Sequence, residues 1–219
     1  MLKLIIGNKA YSSWSLRGWL AVKQSGLPFE EITVPMFDED WNRRREGDEF
    51  APSGGKVPIL WDDKTVIWDS LAIIEWLADK TDRARFWPTD DAARGMARSM
   101  AAEMHSSYQN LRRDHAMNVR KQFPQKDLSE EVRAEVVRIV ELWAEARARH
   151  GKGGPYLFGT FGAVDIMFAP VVTRFVTYSI AVPRFAATYM EAILDHPWMR
   201  QWIVAAQDEP WVIGHYEVP

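Results

Sequence analysis

The sequence predicts a mixed α/β domain at residues 1–80, followed by an all-helical domain at 90–219. Within 1–80, short apolar runs typical of strands alternate with segments whose apolar residues recur at helical spacing. A linker is predicted at 81–89, where Pro88 interrupts the chain, and every candidate segment after it has helical spacing. No internal repeat is visible in the sequence.

The beginning of the α/β domain shows the alternation clearly. Residues 2–6 are mostly apolar, as in a buried strand, and residues 16–23 carry apolar side chains at the spacing of helical turns. A Gly-Leu-Pro breaker at 26–28 precedes a second strand, which is predicted at 29–34. The charged segment 38–49 is predicted to form a short helix.

The rest of this domain adds a hairpin and a helix. Strands predicted at 57–61 and 65–68 are joined by the Asp-Asp-Lys segment 62–64, a hairpin-like turn. Helical spacing resumes at 71–77. The order strand, helix, strand, helix, strand, strand, helix implies a mixed sheet with helices packed on it.

The second domain is predicted to contain five helices. Proline and glycine separate the periodic segments, most clearly at Pro124, at the Gly-rich break 151–155 and at Pro183. The predicted helices span residues 90–118, 129–150, 162–179, 185–194 and 197–207.

Composition argues against several classes of protein. Apolar residues make up 47% of the 219 residues, enough for a core, and a net charge of −3 with mixed signs argues against a nucleic-acid-binding surface. The chain has no cysteine, which excludes disulfides, thiolate metal sites and a protein thiol nucleophile. The N-terminal apolar stretch is too short for a convincing signal peptide or membrane span, so we expect a soluble, cytoplasmic protein with no membrane partner.

Three short motifs place polar groups at the ends of predicted elements. Ser12 and Ser13 lie where the first helix should begin, Val57-Pro58 opens a later strand, and Asp69-Ser70 opens the next helix. Each motif alone has an ordinary explanation, because serine and aspartate often cap helices and proline often starts a strand. Their order and spacing along one chain indicate a binding site instead.

This layout resembles the glutathione transferase superfamily over most of the chain. The segment Ser-Ser-Trp-Ser-Leu-Arg at 12–17 is most similar to the Ser-Ser-Cys-Ser-Trp-Arg pattern of zeta-class enzymes, which include maleylacetoacetate isomerases. Ser-Leu-Ala-Ile-Ile-Glu at 70–75 also matches closely. The resemblance implies a thioredoxin-like N-terminal domain with a mixed four-stranded sheet and an all-helical C-terminal domain. It also implies glutathione as co-substrate and a homodimer.

Two positions depart from the family pattern. Trp14 stands in place of the zeta-class cysteine, which closes or reshapes the pocket that a small hydrophilic substrate would need. Gly162 stands where Ser or Thr usually caps the long buried helix, three residues before Asp165. Glycine is only a slightly poorer cap, so this departure affects folding more than catalysis.

The resemblance assigns catalysis to the serine pair at the start of the first helix. A free thiol has a pKa of about 8.5, so little of it is ionised at neutral pH. A serine hydroxyl that donates to the sulfur, at the positive end of a helix, would stabilise the thiolate. We assign this role to Ser12, with Ser13 as the second candidate; the alternative is that one of them only caps the helix. Trp14 is expected to contribute a backbone N–H or to shape the pocket, unless it packs in the core.

The resemblance also assigns the other contacts with glutathione. The proline that matches Pro58 is cis in the family, which turns the backbone N–H and C=O of Val57 toward the cysteinyl backbone of glutathione. Lys56 is expected to reach the glycyl carboxylate. Asp69, one methylene shorter than the usual Glu or Gln, would accept from the α-ammonium. Ser70 would bind the γ-glutamyl carboxylate at the N-terminus of its helix.

The predicted helix at 90–118 is expected to line the pocket of the second substrate. His105, Tyr108 and Arg112 are spaced by three and four residues and share a helical face, where they could bind an anionic or aromatic electrophile. The alternative is a hydrogen-bonded structural histidine and a solvent-exposed arginine. His105 has no companions at metal-ligand spacing, so no metal site is expected.

Together these inferences predict an enzyme that conjugates the thiol of glutathione to a small, hydrophobic electrophile. A glutathione-dependent cis–trans isomerase of the maleylacetoacetate type is the alternative reaction, ranked lower because of Trp14. A non-catalytic binding module with the same fold is the third reading. The intact serine cluster and the Asp69-Ser70 pair argue against that module.

Overall fold

The N-terminal part of the molecule is built on a mixed four-stranded sheet. Its strands are β1 (Leu2–Ile6), β2 (Phe29–Thr33), β3 (Ile59–Asp62) and β4 (Thr65–Trp68), in the spatial order β2-β1-β3-β4. Strand β1 runs parallel to β2 and antiparallel to β3, which pairs antiparallel with β4. The computed structural model describes residues 1–218 and confirms the predicted mixed sheet.

Strand β1 lies inside the sheet because it is apolar on both faces. Leu4 and Ile6 are buried in the main core, whereas Ile5 belongs to a smaller cluster on the other face, where it is grouped with Trp41. Successive residues of a strand point to opposite faces. A strand with a single polar residue, Lys3, is therefore covered on both sides.

Three helices accompany this sheet: α1 (Ser13–Ser25), α2 (Trp41–Arg45) and α3 (Ser70–Lys80). Apolar side chains of α1 and α3 join the main core, as their helical spacing predicted. The helix predicted at 38–49 is too long. Only α2 is helical there, and the chain turns at Gly47, whose N–H donates to Arg44 O.

Six helices follow within the described part of the chain, where five were predicted. They are α4 (Asp91–Ser106), α5 (Gln109–Asp114), α6 (Glu130–His150), α7 (Ala163–Thr177), α8 (Arg184–Asp195) and α9 (Pro197–Gln207). The additional helix arises because the segment 90–118 is interrupted. Pro219, the last residue of the predicted second domain, lies outside the described residues.

The interruption lies at Tyr108, whose φ of 63° is left-handed, directly after the extended residue Ser107. Arg112 of α5 folds back over the break. Its Nε donates to Ser107 O at 2.9 Å, and its Nη2 donates to Met104 O. These bonds satisfy carbonyl groups that the end of α4 leaves free. Arg112 is thus half-buried and hydrogen-bonded, and the alternative of a solvent-exposed arginine is wrong.

Helix α7 is buried along almost its whole length. Gly162 occupies its N-cap position, as predicted, and the Asp165 side chain accepts from the backbone N–H of this cap residue. The Asp165 carboxylate accepts from Gly162 N–H at 3.0 Å and from Leu157 N–H at 3.2 Å. Arg17 of α1 donates from Nε to Met167 O at 3.0 Å, which joins the first helix to α7.

Candidate active site

A cavity of about 1010 Å³ opens between the sheet-containing part and the helical part. The N-termini of α1 and α3 and the loop before β3 form one side, and residues of α4, α5 and α7 form the other. All of the predicted site residues except Tyr108 line this cavity. The motifs that are dispersed along the sequence therefore converge on one space.

Ser12 and Ser13 lie on the cavity wall at the N-terminus of α1, and both are nearly buried. Ser12 is the N-cap: its Oγ accepts from Ser15 N–H at 3.3 Å and lies 2.7 Å from Ser15 Oγ. Ser13 is the first helical residue, and its Oγ accepts from Arg174 Nη2 at 3.2 Å. The capping role is therefore present at Ser12, and it leaves the hydroxyl on the cavity wall at the positive end of the helix.

The peptide bond between Val57 and Pro58 is cis, as the resemblance implies. Among residues 1–218, neither the N–H nor the C=O of Val57 has a hydrogen-bond partner. Gly18 of α1 permits the close approach of Pro58, because a Cβ there would lie 2.7 Å from Pro58 Cγ. Ser53 Oγ accepts from Lys56 N–H at 3.0 Å and holds the backbone that leads into this loop.

Asp69 and Ser70 form the N-terminus of α3 and face the same cavity. Asp69 caps the helix through Oδ1, which accepts from Leu71 N–H at 2.8 Å. Its φ of 72° is left-handed, and such backbone outliers cluster at functional sites. Ser70 is fully buried, and its Oγ has no partner among the described residues. The pair therefore combines an ordinary cap with an unused hydroxyl.

His105 and Arg112 line the cavity, but they do not share a face with Tyr108. His105 Nε2 lies 2.7 Å from Asp69 Oδ2, so the histidine connects α4 with the start of α3. The structure does not bring Tyr108 to the wall of this cavity. The helix breaks at this residue, its side chain is buried, and its hydroxyl donates to Glu103 Oε1 at 2.6 Å.

Trp14 lines the cavity, and positively charged arginine side chains lie close to it. The guanidinium groups of Arg17 and Arg112 lie 4.6 and 4.8 Å from its ring centroid. Burial lowers the pKa of Arg112, and burial together with the Arg112 charge lowers the pKa of Arg174 to about 9. Both terminal nitrogens of the fully buried Arg17 lack a partner among residues 1–218. A site with this much unneutralised positive charge favours an anion.

Sequence reasoning missed Arg174 and Tyr216, which line the cavity from α7 and from the C-terminal segment. Arg174 did carry a signal, because it is one of two charged residues in the mostly apolar helix Ala163–Thr177. A charge in such a helix needs a partner or a function. Tyr216 carries no comparable signal; its carbonyl accepts from Asn118 Nδ2 at 2.8 Å, a contact that only the tertiary fold creates.

The polar groups that face the cavity are hydroxyls, backbone groups, a carboxylate–imidazole pair and guanidinium groups, a set that suits a zwitterionic or anionic ligand. Within residues 1–218 there is no group of three or more acidic, histidine or cysteine side chains that could hold a metal ion. None of the helices within residues 1–218 combines the length and the apolar composition that a membrane-spanning helix requires.

Comparison with family models gives two matches. The model described as "Glutathione S-transferase, N-terminal domain" matches residues 11–80, and "Glutathione S-transferase, C-terminal domain" matches residues 126–205. Glutathione S-transferase GstB of Escherichia coli strain K12 is 25% identical over 156 residues, which cover 70% of this chain and 74% of the relative. Dichloromethane dehalogenase of Methylorubrum extorquens is 36% identical over 61 residues, 28% of this chain and 21% of the relative.

Solved structures share the whole fold. A glutathione transferase homolog from Burkholderia gl BGR1 with bound glutathione has a TM-score of 0.69 at 21% identity and covers 94% of this chain and 98% of its own. The theta-class enzyme of Xanthomonas axonopodis pv. citri, also with glutathione bound, has a TM-score of 0.64 at 20% identity and covers 92% and 96%. These similarities confirm the predicted fold class. The closeness to the zeta class, the homodimer and the cytoplasmic location stay predictions.

Proposed function

Because this chain belongs to the glutathione S-transferase family, we propose that it transfers the thiol of glutathione to a small electrophile held in the cavity between its two parts. One observation carries the proposal: the cavity joins a helix-capping serine, a cis-proline loop and an Asp-Ser helix N-terminus. Each of these features complements a different part of the tripeptide. Two of the similar solved structures also contain bound glutathione.

Glutathione would bind along the sheet-containing side of the cavity. The free N–H and C=O of Val57 would pair with the cysteinyl backbone, and Lys56 would reach the glycyl carboxylate. The unpaired Ser70 hydroxyl and the N-terminus of α3 would bind the γ-glutamyl carboxylate. Asp69, held by His105, would accept from the α-ammonium. Every charged group of the tripeptide then has a partner.

The Ser12 hydroxyl would stabilise the thiolate. Lowering the pKa of a thiol by about two units requires about 2.7 kcal/mol of preference for the ionised form. A hydrogen bond to a charged group contributes about 1.5–3 kcal/mol, and a helix N-terminus adds about 0.3–1 kcal/mol. The two effects together are sufficient. The thiol proton leaves to solvent, the sulfur forms a bond to the electrophilic carbon, and the leaving group departs with its electron pair.

The arginines favour an acceptor that carries a negative charge in addition to its electrophilic carbon. Trp14 offers an aromatic face, and Arg112 and Arg174 offer cationic donors on the cavity wall. This arrangement fits the anionic or aromatic acceptor better than a purely hydrophobic one. It also supports isomerisation as the second candidate: the thiolate adds to an unsaturated acid, the former double bond rotates, and the thiolate is expelled.

The first experiment is a binding and turnover assay with the purified protein. We expect retention on immobilised glutathione and turnover of at least one model aryl halide, epoxide or hydroperoxide. If the protein is not retained and turns over none of these electrophiles, the fold serves as a non-catalytic binding module and the proposed function is wrong.

Asp69→Asn is expected to raise the KM for glutathione by about 10-fold, equivalent to about 1.4 kcal/mol. Asparagine keeps the helix cap but loses the charge that would face the α-ammonium. The kcat at saturating glutathione should change little, because the serine is untouched. Asp90→Asn, at the cap of α4 where Asp90 Oδ1 accepts from Ala93 N–H at 2.8 Å, is the matched control. An equal rise of KM in both variants would contradict the assignment.

Arg112→Gln is expected to raise the KM for a carboxylate-bearing acceptor by about 10-fold while changing the KM for its methyl ester by less than about 3-fold. Glutamine keeps a donor for the carbonyl groups at the end of α4 and loses the charge. The ratio of the two KM values is the measurement, since a folding defect would affect both acceptors alike. An unchanged ratio would remove the argument for an anionic acceptor.

A further inference from the structure

Ser15 is a buried serine next to the thiolate site that does not itself line the cavity. It lies in the first turn of α1 and is completely buried. Its Oγ accepts from Gly7 N–H at 2.9 Å and lies 2.7 Å from Ser12 Oγ. The two hydroxyls are therefore hydrogen-bonded to each other. The distance alone fits Ser12 or Ser15 as the donor, because a hydroxyl proton rotates about its C–O bond.

The direction of this bond follows from which of the two hydroxyl protons has another acceptor. If Ser12 donated to Ser15, the Ser15 proton would be left in a fully buried place with no acceptor among the described residues. A buried donor without an acceptor is unfavourable. If Ser15 donates to Ser12, the Ser15 hydroxyl makes one hydrogen bond as an acceptor, from Gly7 N–H, and one as a donor, to Ser12 Oγ. The Ser12 proton is then free, and Ser12 lines the cavity, where a ligand can accept it.

We propose that Ser15 is a positioning residue of the thiolate site: its hydroxyl donates to Ser12 Oγ and thereby directs the Ser12 proton into the cavity, toward the sulfur of glutathione. This inference rests on the proposed function of Ser12. It also defines a hydrogen-bond chain from Gly7 N–H through Ser15 and Ser12 to the sulfur. Successive bonds in such a chain polarise one another, so Ser12 becomes a stronger donor than an isolated serine.

The test is the dependence of kcat/KM on pH in serine variants of α1. The acid limb of this profile is the rise of kcat/KM with pH as the thiol of glutathione ionises. In Ser15→Ala, this acid limb should move to higher pH by about 0.5–1 unit, because the thiolate is less stabilised. At pH values below the thiol pKa, kcat/KM should fall by about 3- to 10-fold relative to the wild type. At pH values above the thiol pKa, the loss should be small. Ser15→Thr keeps the hydroxyl and should restore the wild-type limb. If Ser15→Ala fails to fold, Ser15→Cys, whose thiol is a weaker donor, should shift the limb in the same direction.

Ser25→Ala is the matched control. Ser25 is a buried serine of the same helix, and its Oγ donates to Val22 O at 2.6 Å, outside the cavity. Its removal should lower the thermal midpoint without moving the limb. A lower midpoint and an unmoved limb in Ser15→Ala as well would show a purely structural role and overturn the inference.

The Ser12→Ala background separates this inference from the proposed function. If Ser12→Ala moves the limb and adding Ser15→Ala moves it no further, the two residues act as one unit, as proposed. If Ser12→Ala moves the limb and Ser15→Ala alone does not, the inference fails while the function of Ser12 stands. If neither variant moves the limb, the catalytic assignment of Ser12 fails first.

Discussion

Replacing Ser12 with alanine is expected to lower kcat/KM for glutathione conjugation by about 10- to 100-fold at neutral pH, because loss of a pKa shift of about two units lowers the ionised fraction of the thiol by at most about 100-fold. Alanine removes the hydroxyl that would donate to the sulfur and leaves the rest of the cavity in place. Steady-state kinetics with a model aryl halide measures the effect. The fold should survive, because loss of a serine cap costs only about 1 kcal/mol.

Ser13→Ala is the matched control for this prediction. Ser13 is adjacent and equally buried, but its Oγ accepts from Arg174, so it is held by α7. We expect a loss of less than about 5-fold, equivalent to less than about 1 kcal/mol. An unchanged kcat/KM in Ser12→Ala together with a large loss of kcat/KM in Ser13→Ala would show that the donor is Ser13.

Replacing Asp165 with alanine is expected to lower the free energy of unfolding by about 2–5 kcal/mol, since a buried N–H group of Leu157 and a partly buried N–H group of Gly162 lose their acceptor. The carboxylate accepts from Leu157 and Gly162, and glycine has no side chain with which to cap α7 itself. Equilibrium denaturation measures the effect. Asp90→Ala, at the exposed cap of α4, should cost only about 1 kcal/mol. Equal losses in the two variants would contradict this role of Asp165.

Asp165 also predicts how stability depends on pH. Burial raises the pKa of this carboxyl from 3.8 to about 7. Because the folded-state pKa is the higher one, the folded protein retains the proton more tightly than the unfolded chain. The contribution of this group to stability is therefore complete below 3.8 and is lost as the pH rises through about 7. Asp165→Asn should flatten the slope of the unfolding free energy in that range; an unchanged slope would show that the carboxylate is ionised throughout.

Much of the fold could be predicted because its signals are local. The apolar run at Leu2–Ile6 and the hairpin of Ile59–Asp62 with Thr65–Trp68 have local sequence signals, and their order implies the sheet. The break at Tyr108 could not be predicted in the same way. Helical spacing continues across it, and the backbone change is stabilised by Arg112, which folds back onto the end of α4.

The residues of the candidate site also differ in whether a local sequence signal marks them. Ser12, Val57 and Asp69 stand at element ends that the sequence marks, and the structure brings them to one cavity. Arg174 lies 161 residues from Ser13, and its contact with that serine exists only because α7 packs against α1. Local motifs therefore predicted the side that would bind glutathione, whereas the acceptor side depends on tertiary packing.

The most direct test of the account is a pH titration of the thiolate absorbance of glutathione bound to the wild-type protein and to Ser12→Ala. The account predicts a thiol pKa about two units below that of free glutathione in the wild type, with most of the difference lost in the variant. A bound thiol that ionises no more readily than in buffer, or equally in both proteins, would contradict it.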